Sequence, residues 1–459
     1  MKWLAYKSFN KYLFICIFIF FIARTNFYID IEKNIFQFNL KNWFSFSIDF
    51  FSIVVLIFLL IYLLYLIAIN KKFPITLILL LYPINGFLGY LYNTELHNNT
   101  FVIWHHFITL NSAILFYIIL DCYKIFNCKF FELLFKVFIS IIIIYFLLRI
   151  FPLIVYKLYN NIDLRITHKD NIFQENILHI SNIFLTQNVN GQARLLFILQ
   201  LFFLIFFKKN IYQKKIISNI LFLFSLSLLL IILLMESRFI ILASCVSFFF
   251  IILSANNLKL IKKIFYLLFF IVTIAFSMTL DKHQRFLEFD ESTILNDKIN
   301  VLNDKYSSSY NKKMCSTNID INKIDAILSG RLCGWEILIK NIENKDLFFG
   351  KGFFADQTLL KTIQKTSSNS WINILFNTGI LSLVIILSFI IIFLFKFIKF
   401  KNINNKNIYL CLSHYLLIFT LCRSLLEDTI VFLNIDLIIF IISLLLIKNS
   451  HQKIKSENL

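Results

Sequence analysis

Glycine and proline are nearly missing from this chain, at 8 and 3 of 459 residues. So few turn-formers exclude a loop-rich fold and argue against the paired glycine or proline breaks of repeat-built transporters. No glycine-rich phosphate loop of the P-loop kind occurs either. Charge is scarce too: charged side chains make up 15% of residues, and bases outnumber acids 45 to 26. A soluble domain carries about 25% charged residues, so water is not the main solvent here. What abounds is apolar, with 59% hydrophobic residues, 57 of the residues phenylalanine, and a mean hydropathy of +0.77.

Runs such as FFSIVVLIFLLIYLLYLIAI (Phe50 to Ile69) and IISNILFLFSLSLLLIILLM (Ile216 to Met235) match the roughly 20 residues a helix needs to cross about 30 Å of hydrocarbon. Twelve such runs begin near Leu13, Phe50, Pro74, Phe101, Phe131, Ala193, Ile216, Arg238, Ile264, Trp371, Ile408 and Thr429. Lys2, Lys7 and Lys11 precede the first as in a signal peptide, but FFIARTNF offers no small-x-small cleavage site, so that run is read as a span. The pattern predicts an all-α polytopic membrane protein with about 12 transmembrane helices. Residues 1–280 would carry nine spans, 281–370 one large outer loop, and 371–459 the last three spans and a tail.

Lysines set the topology. Lys71 and Lys72, Lys124 and Lys129, Lys208 to Lys215, Lys259 to Lys263, Lys396 to Lys406 and the tail from Lys448 occupy every second connection. By the positive-inside rule both termini are cytoplasmic and the longer connections lie outside. Eight of the 45 basic residues are arginine: Arg24, Arg149, Arg165, Arg194, Arg238, Arg285, Arg331 and Arg423. All eight fall outside or in the outer half of a span, against the rule that lysine obeys. A guanidinium binds phosphate oxygens bidentately and an ammonium does not, so the pattern predicts an anionic, phosphate-bearing ligand at the outer interface. Snorkelling to headgroups is the plainer reading for Arg24, Arg165 and Arg285.

Several sites stand out locally. Glu236 and Arg238 sit in a short turn between two spans, and Arg423 and Glu427 are four apart, on one helix face. In LSGRLCGWEILIKNIENKDLFFGKGFF, Leu328, Leu332, Trp335, Ile339 and Ile342 recur at helical spacing. This predicts an amphipathic helix on the membrane, with Trp335 at headgroup level one turn from Arg331. Gly350 and Gly352 supply turns after it, and Gly379 permits a close helix approach. Arg149, inside a span before Pro152, needs a partner or a wet cavity. Of His105 and His106 at most one points inward. Asp30 and Glu32 are a weak candidate metal pair. Cys315 and Cys333 share the outer loop, either as a disulfide or as two free thiols.

Taken in order, ESRFIIL (236–242), SGRLCGWEILIKNIENKDLFFGKGFF (329–354), SSNSWINILFNTGILSL (367–383) and RSLLE (423–427) resemble the bacterial O-antigen ligase and O-antigen polymerase superfamily. TQNVNGQARLLF (186–197), which carries Arg194, is a weaker match. The resemblance implies a GT-C-like, metal-independent, inverting glycosyltransferase without cofactors. It would act at the periplasmic face of the bacterial inner membrane on a glycan carried by undecaprenyl pyrophosphate, with the lipid A core or a second lipid-linked glycan as acceptor. By motif position, Arg238 and Arg331 would clamp the pyrophosphate. The family's ligases carry a His-Asn pair whose histidine assists deprotonation of the acceptor hydroxyl. The resemblance puts Ser368 and Asn369 at these catalytic positions. Either Glu236, Glu427 or Asp428 then serves as base, or base assistance is weak as in the polymerase branch, toward which the departure points.

The formal net charge of +19 suits anionic membrane lipid rather than nucleic acid, because the lysines are spread over loops with no soluble basic domain. The competing function is a flippase for the same lipid-linked sugar, which would also need outer arginines. No internal repeat supports it, and one outer loop of about 90 residues makes the chain asymmetric, unlike a repeat-built transporter.

Overall fold

The computed structural model describes residues 7–24, 40–94, 100–123, 126–152, 154–155, 189–211, 215–235, 237–255, 258–280, 331–361, 369–398, 407–427, 429 and 434–457. Among them 88% are helical and none is in a strand. In hydrocarbon the backbone must satisfy its own hydrogen bonds, and helices do so within one segment. The helices are α1 (Lys7–Arg24), α2 (Leu40–Asn70), α3 (Leu81–Tyr92) led by a 3-10 turn (Ile75–Leu80), α4 (Thr100–Cys122) and α5 (Cys128–Tyr145) with a π turn (Phe146–Ile150). There follow α6 (Val189–Asn210), α7 (Lys215–Leu234), α8 (Arg238–Leu253) and α9 (Leu260–Leu280). The stretch between α9 and the next long helix contributes α10 (Arg331–Lys340) and α11 (Ala355–Lys361), and then come α12 (Ser370–Ile398), α13 (Ile408–Ser424) and α14 (Ile435–Glu457).

Every one of the twelve apolar runs falls on a helix. Among the described residues, 8 helices are long and apolar enough to cross a membrane, and α1, α8 and α13 are apolar but shorter. The chain is thus a multi-pass, all-helical membrane protein. The last run starts later than its composition suggests. Residues 425–427 and 429 are irregular, and α14 begins where the Asn434 side chain accepts from Leu437 N at 2.9 Å. Asparagine caps recur: Asn127 accepts from Phe130 N, and Asn407 from Tyr409 N and Leu410 N. Each satisfies a backbone donor that the helix start leaves unpaired.

At the bundle's centre α6 is buried at every residue from Gly191 to Leu201. α9 lies at the edge with Leu260, Ile261, Ile264, Phe265 and Val272 exposed, apolar surface that acyl chains cover. One end of the bundle is tied by lysine and its neighbours: Lys448 Nζ donates to Asp121 at 2.5 Å, Lys208 Nζ to Ser254 at 2.9 Å, and Asn407 to Glu132 at 2.6 Å. Arg194, Arg331 and Arg423 gather at the other end.

Candidate functional site: an arginine and carboxylate network

Four helix ends and one turn meet there. Arg194 lies in the second turn of α6, Arg423 one residue before the end of α13, and Asp436 in the first turn of α14. Glu427 follows α13 on a turn, and Arg331 opens α10. Arg194 Nη1 and Arg423 Nη1 both donate to Asp436 Oδ2, and Arg423 Nη2 donates to Glu427 Oε2. Arg331 Nη1 donates to the Leu426 carbonyl at 2.8 Å, while its Nη2 lies 4.0 Å from Glu427 Oε1. The order along the chain of contacts is Arg194, Asp436, Arg423, Glu427, Arg331.

The network is graded in depth. The side chains of Asp436, Arg423 and Arg194 are 0%, 6% and 9% exposed, whereas those of Glu427 and Arg331 are 17% and 22% exposed. An incoming ligand therefore meets Arg331 and Glu427 first. Three guanidinium groups face two carboxylates, so the set carries a net positive charge. Nε of both Arg194 and Arg423 has no hydrogen-bond partner. Buried ionic groups are costly unless their remaining donors and charge are met, and an anion meets both.

The turn bearing Glu427 is held by the start of α12. Ser370 Oγ donates to Glu427 O at 2.7 Å and accepts from Thr429 N at 2.8 Å. Asn369 Nδ2 donates to Leu425 O at 2.7 Å, while its Oδ1 caps α12 by accepting from Trp371 N and Ile372 N. Asn369, expected as a catalytic residue by resemblance, is seen here as a brace between α12 and the site turn.

A second device positions Arg331. α12 is broken at Gly379, whose φ of 78° lies in the left-handed region that favours glycine. The backbone between α10 and α11 fills the break: Lys351 N donates to Phe376 O at 2.8 Å, Gly352 N to Asn377 O at 2.9 Å, and Ile380 N to Leu347 O at 2.8 Å. Backbone groups freed inside a membrane helix must find such partners. The fit is tight, since a Cβ on Gly379 would stand 2.0 Å from Phe348 O. Phe353 N reaches Gly86 O on α3, and the rings of Phe353 and Phe354 lie edge-on to buried His106 on α4. Asn377 and Asp356 pair at 2.8 Å. The close approach expected at Gly379 is thus to FFGKG backbone rather than to another helix.

α10 also differs from expectation. Ile337 and Leu338 are buried with Ala355, Leu360 and Phe376 in a small core of their own, while Ile339 on the expected lipid stripe is exposed and Leu332 and Trp335 are half-buried. The helix is apolar on two sides because it packs on α11 and α12 as well as presenting a stripe outward. It is therefore not a simple two-faced interfacial helix.

Of the residues singled out in the sequence, Arg194, Arg331, Asn369, Arg423 and Glu427 come together, and Trp335 lies one turn along α10. Arg238 opens α8 and Arg149 lies in the π turn; their side chains, like that of Cys333, lie outside the described residues, as do Glu236, Ser368, Asp428, Cys315, Asp30 and Glu32. Among the described residues Arg331 pairs with Glu427 and the Leu426 carbonyl. His106 is fully buried and His105 only partly so, one inward as helix geometry requires. Asp436 was missed, although it is the lone acid of the last apolar run, an expensive placement that flags a role. Among the described residues no group of three or more His, Cys, Asp or Glu is placed to hold a metal ion. Compared with family models, curated proteins and solved structures, the chain matches none.

Proposed function

We propose that this protein transfers a glycan from an undecaprenyl-pyrophosphate carrier to a sugar acceptor at the periplasmic face of the inner membrane, as an O-antigen or surface-polysaccharide polymerase or ligase. The observation that carries the reading is the net-positive network of Arg331, Arg423 and Arg194, graded from a half-open lip to a buried floor. A glycosyl diphosphate leaves as a diphosphate, and its developing charge is stabilised by fixed donors in a site of low polarity. Guanidinium groups held by Asp436 and Glu427 are such donors, already oriented before substrate arrives. A GT-C-like architecture of twelve spans and a periplasmic site belong to the same reading. They rest on the lysine asymmetry and on the twelve apolar helices, α10 and α11 forming part of the outer loop.

Within this reading the role of Arg331 is to receive the diphosphate at the lip and pass charge inward to Arg423. The test is the length distribution of surface polysaccharide on a gel, from a deletion strain complemented with wild type or with Arg331→Lys. Lysine keeps the charge but not the fork of donors, so the variant should be made at normal level yet lose most of the long polymer. Single repeat units on the anchor identify a polymerase, and polymer retained on its carrier a ligase. A wild-type ladder from Arg331→Lys would remove the clamp.

A further inference from the structure

Glu427 lies between two guanidinium groups, those of Arg423 and Arg331. Its two oxygens are turned to different guanidiniums, Oε2 to Arg423 and Oε1 to Arg331, the bridging geometry that phosphate oxygens adopt between arginines. The two contacts are unequal: the one to Arg423 is a close hydrogen bond, while Arg331 stands off at 4.0 Å. Glu427 also differs from the other carboxylate of the set. Asp436 is fully buried inside a helix, whereas Glu427 is 17% exposed on a turn beyond the end of α13. The turn's backbone is held by Ser370 at Glu427 O and by Arg423 O at Glu427 N. The Glu427 carboxylate, by contrast, is held through its ion pairs with Arg423 and Arg331.

We propose that Glu427 is a placeholder for the ligand: its carboxylate occupies the anion seat between Arg331 and Arg423 in the unliganded protein and swings out when a diphosphate ester enters. This rests on the arginine network being the anion site. Charge bookkeeping favours an occupant of that class. With Glu427 withdrawn, the three arginines and Asp436 leave two positive charges, and a diphosphate esterified at both ends carries two negative ones, one on each phosphate. A monoanion would leave the seat short of charge, as Glu427 itself does. The placeholder keeps the arginines apart from bulk anions of single charge and selects for a ligand that binds more strongly than one carboxylate.

The test uses full-length protein in detergent, with inorganic diphosphate as probe and binding followed by calorimetry. Glu427→Gln keeps the shape and removes the charge that competes for the seat, and a unit charge at contact distance is worth more than about tenfold in affinity at an effective dielectric near 20. The expected result is that Glu427→Gln binds diphosphate about tenfold or more tightly than wild type, while Arg423→Gln binds it far more weakly. Equal or weaker binding by Glu427→Gln, with wild type binding well and Arg423→Gln not, would overturn the placeholder and leave Glu427 a strut, the anion site still standing. No binding by either wild type or Glu427→Gln removes both the placeholder and the site. Should Glu427→Gln not give monodisperse protein, Glu427→Ala is read against the same outcomes.

Discussion

Asp436 carries two guanidinium groups on one oxygen while fully buried. Two buried guanidinium groups thus depend on one buried carboxylate for their charge balance. Removing one member of a buried ionic set leaves uncompensated charge and costs about 3–5 kcal/mol. Asp436→Asn should therefore lower the thermal unfolding midpoint clearly in detergent, far more than Glu336→Gln, which removes an exposed pair with Lys340 worth about 0–1 kcal/mol. Equal losses from the two would mean that the buried network is not structural. The arginines were legible in the sequence because arginine is rare there, at 8 of 45 basic residues, and the lysine pattern predicts them all on one side. The pairing of Arg423 with Glu427 was legible too, from their spacing of four, whereas Asp436 was not, and only the fold assigns Asp436 to the floor and Glu427 to the lip.

Elements meet at the break in α12. The FFGKG backbone supplies the hydrogen bonds that α12 loses at Gly379, and the small core around Ile337 and Leu338 joins α10 and α11 to the first turns of α12. Arg331 is thus placed by a unit wedged into a membrane helix. Gly379→Ala puts a side chain at positive φ, a conformation that costs about 1–2 kcal/mol, and into Phe348 O besides. The expected outcome is faster amide exchange over 347–353 with α6 unchanged, read by hydrogen exchange and mass spectrometry. Unaltered protection at 347–353 would refute the wedge. The glycines were visible as turn-formers, but their shared purpose was not, because residues 350 and 379 are joined only through space.

For the whole molecule, orientation decides which compartment the arginine network faces. Lysine distribution predicts the network outside and both ends inside. A fluorescent protein fused after Leu459 should be bright, and alkaline phosphatase inserted after Lys345, an exposed position beyond α10, should be active; the reverse pattern would turn the site toward the cytoplasm. Composition alone determined the solvent, the helical class and the approximate location of every long apolar helix, because in hydrocarbon a backbone must bond to itself and about 20 apolar residues suffice to do so. Tertiary structure decided which of the other polar groups meet. Arg194 and Arg331 lie far in the chain from Arg423, Glu427 and Asp436, and apart from the pairing of Arg423 with Glu427 at helical spacing, the burial, pairing and order of depth of the set follow from where five segments end.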